Sequence, residues 1–215
     1  MDDLTKLAID EFLDKTADRT PTPGGGSVTG AAGALSCALA RMVAAYSVNK
    51  KTEDPVREQV EGFAQRLHRA DQLLRALITR DATAYSGMTE AAKQRKAARA
   101  GDDAQANEAA QRMYETAVLA ALAIPMEMAA LASNALATMD EFKGVASRYL
   151  LSDLGIAAVL ADAAARSARY TVCINAPDLK NQETRVRVMR EIDQIIDHCT
   201  GHREAVETFV RSHLE

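Results

Sequence analysis

Residues 19–42 read RTPTPGGGSVTGAAGALSCALARM. Pro21 and Pro23 stop any upstream helix, since each lacks an N–H and fixes φ. From Ser27 onward the residues suit a helix again, and they give it an unusually small face. Gly26, Gly30 and Gly33 recur at i, i+4 and i+7, with Ala34 and Cys37 continuing the stripe. A glycine inside a helix costs about 1 kcal/mol relative to alanine, so the stripe needs a compensating gain. One gain is close approach of another helix backbone, within the chain or across a dimer interface. The other is a ligand: Gly24, Gly25, Gly26 and Ser27 would present backbone N–H groups at a helix N-terminus, where negative charge is favoured. The turn is no Walker motif, because the Lys after the final Gly is absent. Spacing alone favours packing.

Composition points the same way. Hydrophobic residues make up 47% of the 215, enough for a real core, while aromatics are 4% and Trp is absent. Such a core is Ala, Leu, Val and Met, which suits closely packed helices better than a β-sandwich. The formal charge of −4 argues against a general nucleic-acid binder. KQRKAAR (94–99 with its flanking Lys93) is basic but carries no interleaved aromatics, and reads as a solvated helix face. Cys37, Cys173 and Cys199 are odd in number and form no CxxC pair, so reduced thiols are expected. MDDLTKLAIDEF is unlike a signal peptide. The most apolar run, VLAALAIPMEMAALASNALA, is interrupted by Pro125 and Glu127. A cytoplasmic protein with no membrane span is expected.

The elements follow from periodicity and punctuation. Leu4, Leu7, Ala8 and Phe12 outline a short amphipathic helix ending near Asp18. A second helix is expected over Ser27–Val48, closed by the turn NKKTEDP. A third begins near Pro55, with Val60, Phe63, Leu67, Leu74 and Ile78 at helical spacing as far as Tyr85 or Met88; a polar stretch then leads to Gly101. A fourth runs from Ala104 to about Ala137, kinked at Pro125, with MDEFKG as a connection. Ser152 reads as a helix cap with Asp153 in the first turn. TVCINAPDLK reads as extended or irregular. Gln182–Val210 closes the chain as helix, with Val186, Met189, Ile192, Ile196 and Cys199 on its buried side. The whole, residues 1–215, reads as one all-α domain of long packed helices.

Candidate chemistry is sparse. Asp81 and Tyr85 share a helical face, so RDATAY can offer a carboxylate base beside a phenol, or a solvated Asp beside a half-buried Tyr. Lys50 and Lys51 follow a helix and either cap its carbonyls or attract an anionic ligand. His198 and His202 have the i, i+4 spacing of metal ligands, but no third ligand accompanies them, and no metal is expected.

Taken in series, TPTPGGGSVTGAAGALSCALARMVAAYSVNKK, DATAY and SDLGIAAVLADAAARSARYTVCINAPDL resemble the cyclodeaminase/cyclohydrolase family over nearly the full chain. These helical enzymes resemble the C-terminal half of formiminotransferase-cyclodeaminase and include free-standing methenyltetrahydrofolate cyclohydrolases. This chain departs from the family pattern at Asn49, Val145 and Thr171, where members commonly carry Gly, Asn and Asn. The resemblance implies an all-α fold, a homodimer, a folate substrate bound near the glycine turn, and no bound cofactor. Asp81 would be the base or cation-stabilising carboxylate, with Tyr85 beside it. Lys50 and Lys51 would attract the glutamate tail. Ser152, Asp153 and Asn175 would orient the pterin. The implied reaction is hydrolysis of 5,10-methenyltetrahydrofolate; the alternatives are formiminotetrahydrofolate cyclodeaminase chemistry, or a helical folate-binding or scaffold protein without turnover.

Overall fold

A computed structural model of the chain describes residues 3–214. Met1, Asp2 and Glu215, which the one-domain reading of 1–215 includes, lie outside the described residues. Six α-helices and a few short 3-10 turns, with no strand, make up the regular structure among the described residues. The helices are α1 (Ile9–Ala17), α2 (Gly25–Tyr46), α3 (Asp54–Arg99), α4 (Ala104–Phe142), α5 (Leu151–Asn175) and α6 (Gln182–Leu214).

The helix α2 lies between α3 and α5, and α4 backs both of them; α6 closes over α4 and α5. Both neighbours run antiparallel to α2. Against α5, the Ser36 hydroxyl donates to the Ala157 carbonyl at 2.7 Å, and the Ser147 N–H donates to Ser47 Oγ at 2.8 Å. Against α3, the Ser27 hydroxyl donates to the Ile78 carbonyl at 3.3 Å, and Arg41 reaches Asp71 at 3.1 Å farther along. The small stripe is what permits this approach. A Cβ on Gly30 would stand 2.8 Å from Ile78 Cγ1 and 3.3 Å from the Leu74 carbonyl oxygen, and one on Gly33 would press the Leu74 methyls at 3.1 Å. Glycine here exchanges helix propensity for proximity.

Alanine extends the same device through α4 and α5. Ala129, Ala132, Ala157, Ala161, Ala165 and Ala168 are buried among Leu67, Leu74, Leu136 and Leu154. Phe63 and Phe142 stack at 5.7 Å between centroids, contributing one of the few aromatic contacts. Cys37 and Cys199 are buried free thiols. By length and composition Gly25–Tyr46 and Ala104–Val145 are apolar enough to cross a membrane, a test that core helices also pass; 50% and 44% of their apolar windows are buried in the bundle.

Several expected boundaries move. The N-terminal helix splits into a 3-10 turn at Leu4–Lys6, capped by the Asp3 carboxylate, and α1, which buries no residue. The helix α3 continues through Met88 to Arg99, because alanines and long polar residues there support helix as well as apolar ones do. MDEF is the last turn of α4, where Met139 and Phe142 are buried; the helix also continues through Pro125. The stretch expected to be extended is helical: α5 keeps Ala168, Val172 and Asn175 buried at helical spacing, and Ala176–Asp178 adds a 3-10 turn. Pro177 falls in the first positions of that turn, where a missing N–H costs little. Ser152 does not cap α5: the helix starts at Leu151, with Leu150 at its N-cap, and Ser152 is exposed. On α6, Ile192 and Cys199 are buried as expected, whereas Val186 is 49% exposed.

Candidate active site

At the N-terminal end of α2 the chain leaves Pro21 and Thr22, turns through Gly24 and enters the helix at Gly25. The middle of α3 and the end of α5 flank this turn. The three elements enclose a cavity of about 520 Å3, with Ala121 of α4 at its back. Its floor is main chain. Gly24, Gly25 and Gly26 line it, and a Cβ on Gly25 would meet nothing within 4 Å, so that position opens to the cavity. Gly26 is different: a Cβ there would fall inside the Asp81 carboxylate. Only a glycine lets α2 bring its first N–H groups against this side chain.

Asp81 thus stands over the start of a helix, where a negative charge meets unpaired N–H groups. Burial pushes its carboxyl above the ordinary value, and the Ser27 backbone N–H opposes that rise. No lysine or arginine lines the cavity. Tyr85, one turn along α3, is 45% exposed at the rim. The opposite wall is Thr171, Ile174 and Asn175 of α5, with Asn175 buried and Asp178 following in the 3-10 turn. Asp178 is held from behind: the hydroxyl of buried Tyr114 hydrogen-bonds to it, and the Arg95 guanidinium stacks 3.5 Å over the Tyr114 ring. Burial, then Asp178, push the Tyr114 phenol upward.

Of the residues singled out in the sequence, Gly24, Gly25, Gly26, Asp81, Tyr85 and Asn175 meet around one cavity. Ser27 is adjacent, but its fully buried hydroxyl is committed to the Ile78 carbonyl, so its contribution is the N–H. Lys50, Lys51, Ser152 and Asp153 do not reach this cavity. They sit at the other end of α2 and at the start of antiparallel α5, about 33 Å away by the rise of a 22-residue helix. Sequence reasoning missed Met88 and Asp178 as lining residues; Asp178 stands inside the INAPDL stretch, and Met88 is seven residues beyond Asp81 on the same helix face. The histidine pair also separates: His202 Nδ1 lies 2.9 Å from Asp140 of α4, while His198 is exposed. Among the described residues no three His, Cys, Asp or Glu side chains group as metal ligands.

Known proteins share this architecture. A formiminotetrahydrofolate cyclodeaminase from Thermotoga maritima superposes with a TM-score of 0.86, at 24% identity, covering 99% of this chain and 100% of that one; the likeness establishes the fold. The methenyltetrahydrofolate cyclohydrolase of Methylorubrum extorquens is 25% identical over 210 residues, 95% of this chain and 96% of that protein. The formimidoyltransferase-cyclodeaminase of Mus musculus is 26% identical over 196 residues; the match takes in 91% of this chain but only 35% of the mouse protein. The formiminotransferase-cyclodeaminase family model matches residues 8–194, most of the chain's length. The protein therefore belongs to the formiminotransferase-cyclodeaminase family.

Proposed function

We propose that this protein is a folate one-carbon enzyme that hydrolyses 5,10-methenyltetrahydrofolate to 10-formyltetrahydrofolate, acting as a homodimer in the cytoplasm without a metal or bound cofactor. The observation that carries the reading is the Asp81 carboxylate, unpaired by any cation of the cavity and set over a floor of bare main chain. The substrate's bridging carbon is an electrophilic amidinium. A carboxylate beside it stabilises the cation and takes a proton from the attacking water. The tetrahedral adduct opens as the bond from that carbon to N5 breaks, leaving the formyl group on N10. A floor without side chains leaves room for a flat pterin. Asn175 and Asp178 offer hydrogen-bonding groups to its edge, and Tyr85 covers the mouth. End-to-end similarity to a protein named as a cyclohydrolase favours this activity.

The second reading is cyclodeaminase chemistry, in which ammonia leaves formiminotetrahydrofolate as the methenyl ring closes; the similarity to the mouse protein favours it. The same carboxylate would serve the same cationic carbon. The deciding assay follows loss of the near-ultraviolet absorbance of 5,10-methenyltetrahydrofolate, in a buffer that keeps spontaneous hydrolysis slow. Acceleration by the wild type, lost in Asp81→Asn, is the expected result. No acceleration, with turnover of formiminotetrahydrofolate, transfers the assignment to the cyclodeaminase. Folate binding without either turnover makes the protein a binder, with Val145 and Thr171 in the places of family amides as the first residues to restore.

A further inference from the structure

The cavity carries two carboxylates, Asp81 and Asp178, and no lysine, arginine or histidine lines it. They belong to different ends of it. Asp81, Ala84, Met88 and Arg95 follow one another along one side of α3, with Arg95 about 21 Å beyond Asp81 by helical rise. The Arg95 guanidinium stacks 3.5 Å over the ring of Tyr114 on α4, and the Tyr114 hydroxyl donates to Asp178. Asp178 therefore stands on the Arg95 side of the cavity, whereas Asp81 stands against Gly26.

The chain invests three contacts in this second carboxylate. Tyr114 is 4% exposed, so its ring is locked between helices and its hydroxyl requires a partner. Arg95 closes one face of that ring. The turn bearing Asp178 is anchored as well: Ala176 and Leu179 are buried, and Lys180 pairs at 2.8 Å with Glu115, the residue after Tyr114. A phenylalanine would fill the place of Tyr114; what the tyrosine adds is a hydroxyl shared between Asp178 and Arg95. Asp178 itself is exposed, and an exposed aspartate takes several rotamers; the bond from Tyr114 selects one of them at the cavity wall.

A carboxylate that accepts one hydroxyl keeps most of its acceptor capacity. The pterin offers a matching edge. Its ring N3–H and 2-amino group point the same way, as the N–H groups of a guanidinium do, and one carboxylate takes both. We propose that Asp178 is the specificity residue that takes this edge, and that Tyr114 and Arg95 are positioning residues that hold it there. The two carboxylates then divide the substrate: Asp178 holds the ring, and Asp81 meets the cationic carbon. This assignment deepens the folate reading of the site and rests on it.

The test reads the two halves of the substrate separately in the full chain. The ring alone is 6-methyltetrahydropterin and the tail alone is p-aminobenzoylglutamate; calorimetry measures each, beside turnover of 5,10-methenyltetrahydrofolate. Asp178→Asn should raise KM, and weaken 6-methyltetrahydropterin, by about 10–100-fold, with p-aminobenzoylglutamate unaffected. Tyr114→Phe, with unchanged circular dichroism, should weaken the ring by about 3–10-fold. Arg95→Ala should act in the same direction, and neither change should add to Asp178→Asn, because both work through it. Lys180→Ala cuts the other tie of the turn and should leave KM unchanged. An unchanged KM in Asp178→Asn overturns the proposal. A fall in kcat alone gives Asp178 the chemistry instead of the ring and overturns it equally. Equal effects of Lys180→Ala and Tyr114→Phe reduce Tyr114 to a tie of the turn, and its positioning role falls. In each of these cases wild-type turnover keeps the folate reading. A wild type that turns over neither folate overturns that reading and this assignment with it.

Discussion

Asp81 is half-buried, and no ion-pair partner offsets its charge among the described residues; burial and the Ser27 N–H set its acidity. A carboxyl whose pKa is raised on folding contributes stability below its unfolded value, and that contribution is lost as pH rises through the folded value. At pH 7 the ionised group is therefore a cost to the fold and an asset to the chemistry. Asp81→Asn should lower kcat by about 10²–10⁴-fold. Its thermal midpoint at pH 7 should equal or exceed that of the wild type, the gap closing as pH falls below about 4. Unfolding followed by circular dichroism at both pH values checks the sign. A variant that unfolds more readily at pH 7 would return Asp81 to a purely structural role at the start of α2. This residue was legible in DATAY only as an Asp–Tyr pair on one face; its setting depends on Gly26, which is distant in sequence.

The glycines of α2 and the isolated Gly62 of α3 make opposite forecasts from one substitution. At Gly30 a methyl would strike Ile78 and the Leu74 carbonyl, so Gly30→Ala should destabilise by about 1–3 kcal/mol. At Gly62 a methyl would meet nothing within 4 Å, so Gly62→Ala should stabilise by up to about 1 kcal/mol. Chemical denaturation of the two variants measures both. A second element-level contact joins α4 to α6. Burial would raise the Asp140 carboxyl, but Lys143 and His202 outweigh it and hold the group below its ordinary value. Its stabilisation is present above the unfolded value and fades as pH falls through the folded one. Asp140→Asn should thus cost about 1–2 kcal/mol at pH 6 and progressively less as pH falls below about 4. Helix starts were readable where proline or glycine marked them, as at Pro55 and at the glycine turn before α2, but not at Ser152, which does not cap α5. The end of α5 was not, because Thr171, Val172 and Ile174 favour strand locally, and packing of Val172 and Asn175 overrides that preference.

For the molecule as a whole, the all-helical domain was legible because an alanine-rich, aromatic-poor chain can bury its surface only by bringing backbones close together. The division of the site residues was not legible. Sequence order says nothing of direction, and only the antiparallel packing of α2 against α3 and α5 sends Lys50, Lys51, Ser152 and Asp153 to one end and the glycine turn to the other. The backbone floor of the cavity has a consequence for descent. A surface made of main chain cannot drift by substitution, and Gly26 cannot be exchanged without expelling Asp81, so the floor and its carboxylate are inherited as a unit. Diversification is left to the walls, where Tyr85, Met88, Thr171 and Ile174 can each be replaced without disturbing that unit, and laboratory evolution of a new specificity should accumulate its changes there.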